Sequence, residues 1–174
     1  DFYKNKMIFL DAKPNKAHLK LAEMEQAGKL SAIVTQNIDG LHQAAGSKNV
    51  FELHGSVHRN YCQKCGKFFD VNYVVNAKGV PYCDECGGII KPDVVLYEEG
   101  LDSQTINGAV RAISKADMLI IGGTSLVVYP AAGMIDYFKG KYLAVLNRDA
   151  TSRDKQADLC ITDPIGEVLG RIRV

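Results

Sequence analysis

The sequence predicts an α/β protein with a Rossmann-like, doubly wound parallel sheet and an inserted small zinc-ribbon domain. A strand, a glycine loop, a helix start and a second strand follow one another within residues 118–146. Such a βαβ order prescribes parallel strands with helices on the faces of the sheet. Two Cys-x-x-Cys pairs lie elsewhere in a segment of different composition. They indicate a separate metal-binding insertion.

Composition excludes several classes of protein. The chain has 174 residues, 47% of them hydrophobic, and a formal net charge of +1. No Lys/Arg run exceeds a dipeptide, which argues against direct nucleic-acid binding through a basic face. No apolar segment approaches the ~18 residues of a membrane span, and the first residues do not resemble a signal peptide. A cytoplasmic protein is expected, and the oligomeric state stays open.

The predicted elements follow from periodicity and capping signals. Residues 13–29 favour a helix that Asn15 caps and Gly28 ends. Short strands are predicted at 32–34 and 50–53, and strands buried on both faces at 118–121 and 142–146. Pro130 is expected to open a helix. A strand at 158–162, with Cys160 in the core, and an amphipathic helix containing Ile165 and Ile172 complete the order.

The domain boundaries are predicted from a change in composition. Between residues 59 and 90 the chain becomes rich in Cys, Gly, Lys, Asp and Tyr. This segment is predicted to be a zinc-binding module. Residues 1–58 and 91–174 are predicted to form the Rossmann-like domain.

The four clustered cysteines predict a structural zinc site. Cys62 and Cys65 form one Cys-x-x-Cys pair, and Cys83 and Cys86 form the other. Four thiolates with no position for water are typical of a structural rather than a catalytic site. Two disulfides or a redox pair are the alternatives, and spacing alone does not exclude iron.

Polar loops follow three predicted strands. They are Thr35 to Gly40, Gly122 to Ser125, and Asn147 to Asp149. In open α/β sheets ligands bind at the carboxyl ends of the strands, where such loops bond hydroxyls and phosphates. A Gly-Gly-Thr-Ser turn by itself is more often a tight connection, but three loops of this kind favour one nucleotide crevice.

One of the four histidines is a candidate general base. His54 follows a predicted strand and precedes Gly55 and Ser56, which leave room for a substrate. An imidazole with a pKa near ~6.5 suits proton transfer at neutral pH. On position alone, a structural role is the preferred interpretation for His54, as it is for His18.

Six motifs in order resemble the sirtuins, the NAD-dependent protein-lysine deacylases, and a bacterial branch in particular. They are TQNIDGLH, LHGS, the two Cys-x-x-Cys pairs, KPDVVLYEE, GGTSLVVYPAA and LNRD. The resemblance runs from about Ala12 to the end of the chain. It implies the cofactor NAD, one structural zinc ion and acylated-lysine proteins or peptides as partners. It also implies that residues 1–58 and 91–174 form the NAD-binding domain, without its N-terminal part.

The resemblance also implies roles for individual residues. His54 would be the catalytic base, and Val95 and Tyr97 would flank the acyl-lysine of a peptide that pairs with this segment as a strand. The residues expected to contact NAD are Gln36, Asn37, Ile38 and Asp39 near the nicotinamide, Gly123, Thr124 and Ser125 near the phosphates, and Asn147, Arg148, Asp149 and Ile165 near the adenosine.

The implied reaction moves the acyl group from lysine to ADP-ribose and releases nicotinamide. The family's glycine-rich phosphate loop and its Asp-Phe-Arg motif would lie before Asp1. The sequence is therefore expected to be a piece of a longer protein rather than a naturally shortened homologue. The alternatives are ADP-ribosyl transfer to a protein, and an inactive interaction module.

Glu98 stands where many sirtuins have Gly, and it is expected to favour basic residues beside the target lysine.

Overall fold

The computed structural model describes all residues from Asp1 to Val174, and they form two compact units. The first unit contains residues 1–12, 36–40 and 54–101. The second contains residues 13–35, 41–53 and 102–174. The predicted division, with a module at 59–90, stays a prediction.

The helices and strands alternate through most of the chain. A single π-helical turn, Tyr3–Met7, comes first. In chain order the regular elements are α1 Lys16–Gln26, β1 Ile33–Thr35, α2 Leu41–Ala44, β2 Val50–Glu52, β3 Gly55–Cys62, β4 Phe68–Asp70, α3 Val71–Asn76, β5 Ile90–Val94, α4 Ser103–Lys115, β6 Met118–Gly122, β7 Tyr142–Leu146, β8 Leu159–Ile161 and α5 Ile165–Gly170. None of the helices is long and apolar enough to span a membrane.

The strands of the second unit are all parallel, which confirms the α/β class. β1 pairs with β2, and β6, β7 and β8 form a three-stranded sheet in that order. The register aligns Gly122 with Leu146 and Leu146 with Ile161. The carboxyl ends of β6, β7 and β8 therefore lie side by side at one edge of their sheet.

The sequence overestimated burial at the two outer strands of this sheet. β7 lies in the middle and buries every residue after Tyr142. In β6 only Ile121 is buried and Met118 is 48% exposed, so the prediction of burial on both faces is wrong there. Cys160 in β8 is likewise exposed rather than part of the core. An apolar run predicts a strand but does not specify its position in the sheet.

Helix α1 begins and ends as its sequence predicts. The Asn15 side chain accepts hydrogen bonds from the backbone N–H groups of Ala17 and His18, and His18 completes a capping box. Gly28, at φ +69°, takes the left-handed conformation that ends the helix. Ala17 packs with the β7 residues Ala144 and Leu146 and with Leu169 of α5. These apolar contacts hold both helices against the sheet.

The helix expected after Pro130 is a short 3-10 helix, Ala131–Tyr137. It packs with β6 and β7 through Ala132, which shares a core cluster with Ile121 and Val145. Helix α4 was not predicted. Its N-terminus is capped by the Asp102 carboxylate, which accepts a hydrogen bond from the Thr105 N–H.

The first unit is built on the antiparallel sheet β4–β3–β5. Its core contains Phe69, Val74 and Ile90 together with Cys62 and Cys83. Asn60 is fully buried, and its Oδ1 accepts a hydrogen bond of 3.0 Å from the hydroxyl of Tyr3. Burial raises the pKa of Tyr3 to about 12. This bond anchors the first residues of the chain to β3.

Candidate functional site

The four cysteines of the first unit converge on one point. Their sulfur atoms all lie within 4.8 Å of one another. Cys62 Sγ is 3.4 Å from Cys86 Sγ, and Cys65 Sγ is 3.7 Å from Cys83 Sγ. In a tetrahedral site with Zn–S bonds of ~2.3 Å the sulfurs would be about 3.8 Å apart. The four residues therefore fit a single zinc ion.

The two Cys-x-x-Cys segments form equivalent turns. The N–H of Gly66 donates to the carbonyl of Cys62 at 2.9 Å, and the N–H of Gly87 donates to that of Cys83 at 3.0 Å. Both glycines have a positive φ. Gly88 is required for a different reason, since a Cβ there would lie 2.7 Å from Cys62 Sγ. The glycines thus leave the space that the sulfur cluster occupies.

Hydrogen bonds prepare the cluster for a cation. The backbone N–H of Cys65 lowers the pKa of the Cys62 thiol to about 6. At Cys65 the backbone N–H of Lys67 also lowers the pKa, but the Cys86 thiol, burial and the other two thiols raise it to about 12. A bound metal ion would be coordinated by all four cysteines as thiolates, and their protons would be released.

In the second unit, the predicted nucleotide-contacting residues follow adjacent strand ends. Gly123 comes directly after β6, and its N–H donates to the Leu146 carbonyl at 3.2 Å. Asn147 comes directly after β7, and its N–H donates to the Ile161 carbonyl at 3.0 Å. The structure therefore brings the Gly-Gly-Thr-Ser and Asn-Arg-Asp loops to one edge of the sheet.

Ile165 lies against the end of β6. A Cβ added to Gly122 would lie 2.4 Å from Ile165 Cδ1, so the start of α5 lies directly on the end of β6. Gly123, at φ +62°, turns the chain away in a conformation that favours glycine. No atom lies within 4 Å of a Cβ built there. Open space beside glycine at parallel strand ends fits a phosphate-bearing ligand.

Local hydrogen bonds shape both loops. Thr124 Oγ1 accepts from the Leu126 N–H at 3.2 Å, and Asn147 Nδ2 donates to the Asp149 carbonyl at 2.8 Å. Gly123, Ser125, Arg148 and Asp149 are exposed, so their polar groups are accessible to a ligand.

In the first unit, the loop Gln36–Gly40 lies against the start of β3. The Val57 N–H donates to the Ile38 carbonyl at 3.0 Å. His58 Nε2 lies 3.0 Å from the Asp39 carbonyl oxygen, and a Cβ on Gly40 would lie 2.9 Å from the same ring. No role was predicted for His58, because no local motif reports a contact made nineteen residues away.

His54 is oriented by the same loop. Its Nδ1 lies 3.0 Å from the carbonyl oxygen of Gln36. A carbonyl only accepts hydrogen bonds, so Nδ1 carries the proton in this contact. The neutral ring then has its lone pair on Nε2, where it is available to take a proton.

The segment after β5 is joined to the His54 backbone. The Val95 N–H donates to the His54 carbonyl at 3.1 Å. Beyond it, Leu96 is 47% exposed and Tyr97 is fully exposed. The first unit thus places the Gln36–Gly40 loop, His54 and the Val95–Tyr97 segment together.

The sequence matches the model of one known protein family. The sequence model of the Sir2 family matches residues 1–130, which is most of the chain. The chain belongs to the Sir2 family. This confirms the family that the sequence motifs indicated.

Relatives of this Sir2 chain share a name. The NAD-dependent protein deacetylase of Clostridium acetobutylicum is 66% identical over 170 residues, covering 97% of the chain and 69% of the relative. That of Clostridium perfringens is 64% identical over 173 residues, covering 99% and 71%. The chain therefore spans about seven tenths of these relatives.

Solved Sir2 structures have the same fold. One, described as Sir2-p53 peptide-NAD+, matches with a TM-score of 0.91 at 40% identity and covers 98% of this chain and 73% of its own. Another, described as Sir2 bound to acetylated peptide, matches with a TM-score of 0.87 at 40% identity, covering 93% and 70%. These matches, together with the cluster of four cysteines, confirm the Rossmann-like fold with a zinc-binding module.

Proposed function

We propose that this Sir2 protein removes acyl groups from lysine side chains in an NAD-dependent reaction that releases nicotinamide. The observation that carries the proposal is the His54 ring, held with Nδ1 on the Gln36 carbonyl and Nε2 available as a base. Relatives more than 60% identical are named NAD-dependent protein deacetylases. Solved neighbours include Sir2 with NAD+ and with acetylated peptide.

NAD would supply the ribose carbon that becomes electrophilic as nicotinamide leaves, and the ribose hydroxyl that finally carries the acyl group. The chain's own residues would orient these groups and move one proton. His54 Nε2 would take the proton from the ribose hydroxyl, which general-base catalysis makes a better nucleophile. Holding the acyl-lysine oxygen against the ribose would replace a bimolecular encounter.

In the first unit, the loop after β1 would contact the nicotinamide end of NAD. Asn37 and Asp39 would offer polar groups there, Gln36 would orient His54, and Ile38 would pack against the ring. Support comes from the contacts of Ile38 and Asp39 with β3, which hold this loop in one conformation.

In the second unit, the edge formed by β6, β7 and β8 would contact the adenosine and phosphate groups. Gly123, Thr124 and Ser125 would lie beside the phosphates, and Asn147, Arg148, Asp149 and Ile165 beside the adenosine. The alignment of the strand ends and the open space at Gly123 support this assignment.

The acyl-lysine peptide would pair with the segment that carries Val95 and Tyr97. This segment extends β5, and its exposed Leu96 and Tyr97 can contact a peptide strand. Backbone pairing gives affinity with little dependence on peptide sequence. The zinc ion would stabilise the first unit without entering the reaction. The thiolate site fits a reducing compartment, which supports a cytoplasmic location.

The test measures nicotinamide release by the full-length protein with NAD and an acetyl-lysine peptide. We expect release only when both are present, with a loss of 42 Da from the peptide that corresponds to its acetyl group. An added ADP-ribose mass on a protein or peptide would instead indicate ADP-ribosyl transfer. Absence of any NAD-dependent product would contradict both reactions.

A further inference from the structure

The turn after β5 contains a residue in an unusual backbone conformation. The Glu99 N–H donates to the Leu96 carbonyl at 3.1 Å, which closes a four-residue turn. Glu98 occupies its third position with φ +71°. Turns of this kind favour glycine there, because a side chain strains the left-handed conformation. A strained residue that persists in a structure is a reason to look for a function.

The turn is clamped onto β5. Glu99 Oε2 accepts hydrogen bonds from the Leu96 N–H at 2.9 Å and from Lys91 Nζ at 3.0 Å. Lys91 Nζ also donates to the Val94 carbonyl at 3.0 Å. These contacts fix the turn relative to the strand. Its exposed residues, Tyr97 and Glu98, are therefore presented in a defined place.

Glu98 is the unpaired acid of this region. Asp93 is paired with Arg59 at 2.7 Å, and Glu99 is paired with Lys91. The Glu98 side chain is exposed and makes no hydrogen bond or ion pair. The turn therefore offers a negative charge that no residue of the chain compensates.

We propose that Glu98 is a specificity-determining residue that favours a basic side chain close to the acyl-lysine of the substrate. The inference rests on the proposed function, in which the peptide pairs with the Val95–Tyr97 segment. A peptide strand that passes Val95 and Tyr97 brings a residue two or three positions from the acyl-lysine beside Glu98, since strand residues advance by about 3.3 Å each. Lysine or arginine at that position meets the free carboxylate.

The test compares acetyl-lysine peptides that carry Arg, Ala or Glu at one position, for each of the three positions on either side of the acetyl-lysine. Nicotinamide release by the full-length protein gives kcat and KM for each peptide. At one position we expect kcat/KM to be about two- to fivefold higher with Arg than with Glu, the range for an exposed ion pair. The difference should lie in KM and fade in high salt, which screens exposed charges.

Three variants separate charge from backbone strain. Glu98→Gln keeps the strain and removes the charge, whereas Glu98→Gly removes both, so each should lose the Arg preference. Glu98→Asp keeps the charge and should keep a preference of the same sign. Glu23→Gln in α1 removes an equal charge elsewhere and should leave the preference unchanged.

The outcomes distinguish this inference from the proposed function. Activity without an Arg preference, or a preference that survives Glu98→Gln, overturns the role of Glu98 and leaves the deacylase proposal intact. A wild-type protein inactive on every acetylated peptide overturns both. Loss of the Arg preference in the Glu98→Gln and Glu98→Gly variants, but not in Glu98→Asp, supports the inference.

Discussion

The Nδ1 atom of His54 lies 3.0 Å from the backbone carbonyl oxygen of Gln36. This contact connects a strand-end histidine to the loop that follows β1, although eighteen residues separate them in sequence. It selects the tautomer whose free lone pair is on Nε2. The orienting group is a main-chain carbonyl, so it is supplied by the fold and not by the identity of the side chain at position 36.

Replacing His54 by alanine should nearly abolish deacylation. Loss of a general base typically lowers the rate about 10²- to 10⁴-fold, and we expect the loss in kcat rather than in peptide binding. Steady-state nicotinamide release measures it. His18→Ala is the matched control, since His18 belongs to the capping box of α1 and should affect stability without this loss of kcat. An unchanged rate in His54→Ala would remove the residue from the proposed role.

Gly55→Ala should destabilise the protein strongly. Gly55 has φ +74°, and a Cβ there would lie 1.9 Å from the Asp93 carbonyl oxygen, which would separate β3 from β5. We expect a loss of more than about 2 kcal/mol in the free energy of unfolding, measured by denaturant titration.

Gly79→Ala is the matched control for this variant. Gly79 has φ +78° but no atom within 4 Å of an added Cβ. The substitution therefore introduces the backbone strain alone, which costs about 1 kcal/mol. Equal losses in the two variants would show that the approach of Asp93 to Gly55 is not the cause.

Zinc removal should unfold part of the protein. We expect one zinc ion per chain by elemental analysis, and a lower melting temperature after treatment with a strong chelator. Cys83→Ser should lose the ion, because Cys83 is a buried member of the sulfur cluster. Cys160→Ser should retain it, since Cys160 lies outside the cluster and is exposed. Zinc binding that survives Cys83→Ser would contradict the four-thiolate site.

Acid should release the clamp on the turn at Glu98. The Leu96 N–H, and then Lys91, hold the pKa of Glu99 below its usual range. A depressed pKa in the folded state means that this group stabilises the fold above the unfolded value of ~4.3, and that the contribution disappears as pH falls through the folded pKa.

Thermal unfolding of Glu99→Gln across a pH series tests this. The melting temperature of the variant should lie below that of the wild type by a constant amount between pH 7 and 5. Below about pH 4.3 the two should converge. Lys91→Met removes only the second hydrogen-bond partner of Glu99. Its melting temperature should therefore lie closer to that of the wild type, and it should converge with the wild type over the same pH range. A difference that stays constant down to pH 3 would argue against the clamp.

Some features could be predicted from local sequence because local chemistry specifies them. Asn15 and Gly28 mark the ends of α1, since a cap and a left-handed exit depend on a few neighbouring residues. The two Cys-x-x-Cys pairs define a metal cluster because each turn places two sulfurs by itself. The family motifs could be identified for the same reason, as each is a continuous segment.

Other features depended on contacts that no local pattern reports. The sequence predicted Met118 and Cys160 as buried, but both lie in outer strands of their sheet and are exposed. The contact of His58 with the Asp39 carbonyl was not foreseen, because it joins segments nineteen residues apart that approach only on folding. The contact of Glu99 with Lys91 was not foreseen either, because it forms only when the turn after β5 folds back onto that strand.

By itself, the sequence determined the class of fold, the zinc ligands, the family and the residue types available for chemistry. The tertiary structure decided which nitrogen of His54 is left as a base, which strand ends align, and which acid of the Leu96–Glu99 turn stays unpaired. The physical reason is that capping, turn formation and thiolate pairing act over a few residues of chain. Tautomer selection, burial and charge compensation are set by atoms that only folding brings within a few ångströms.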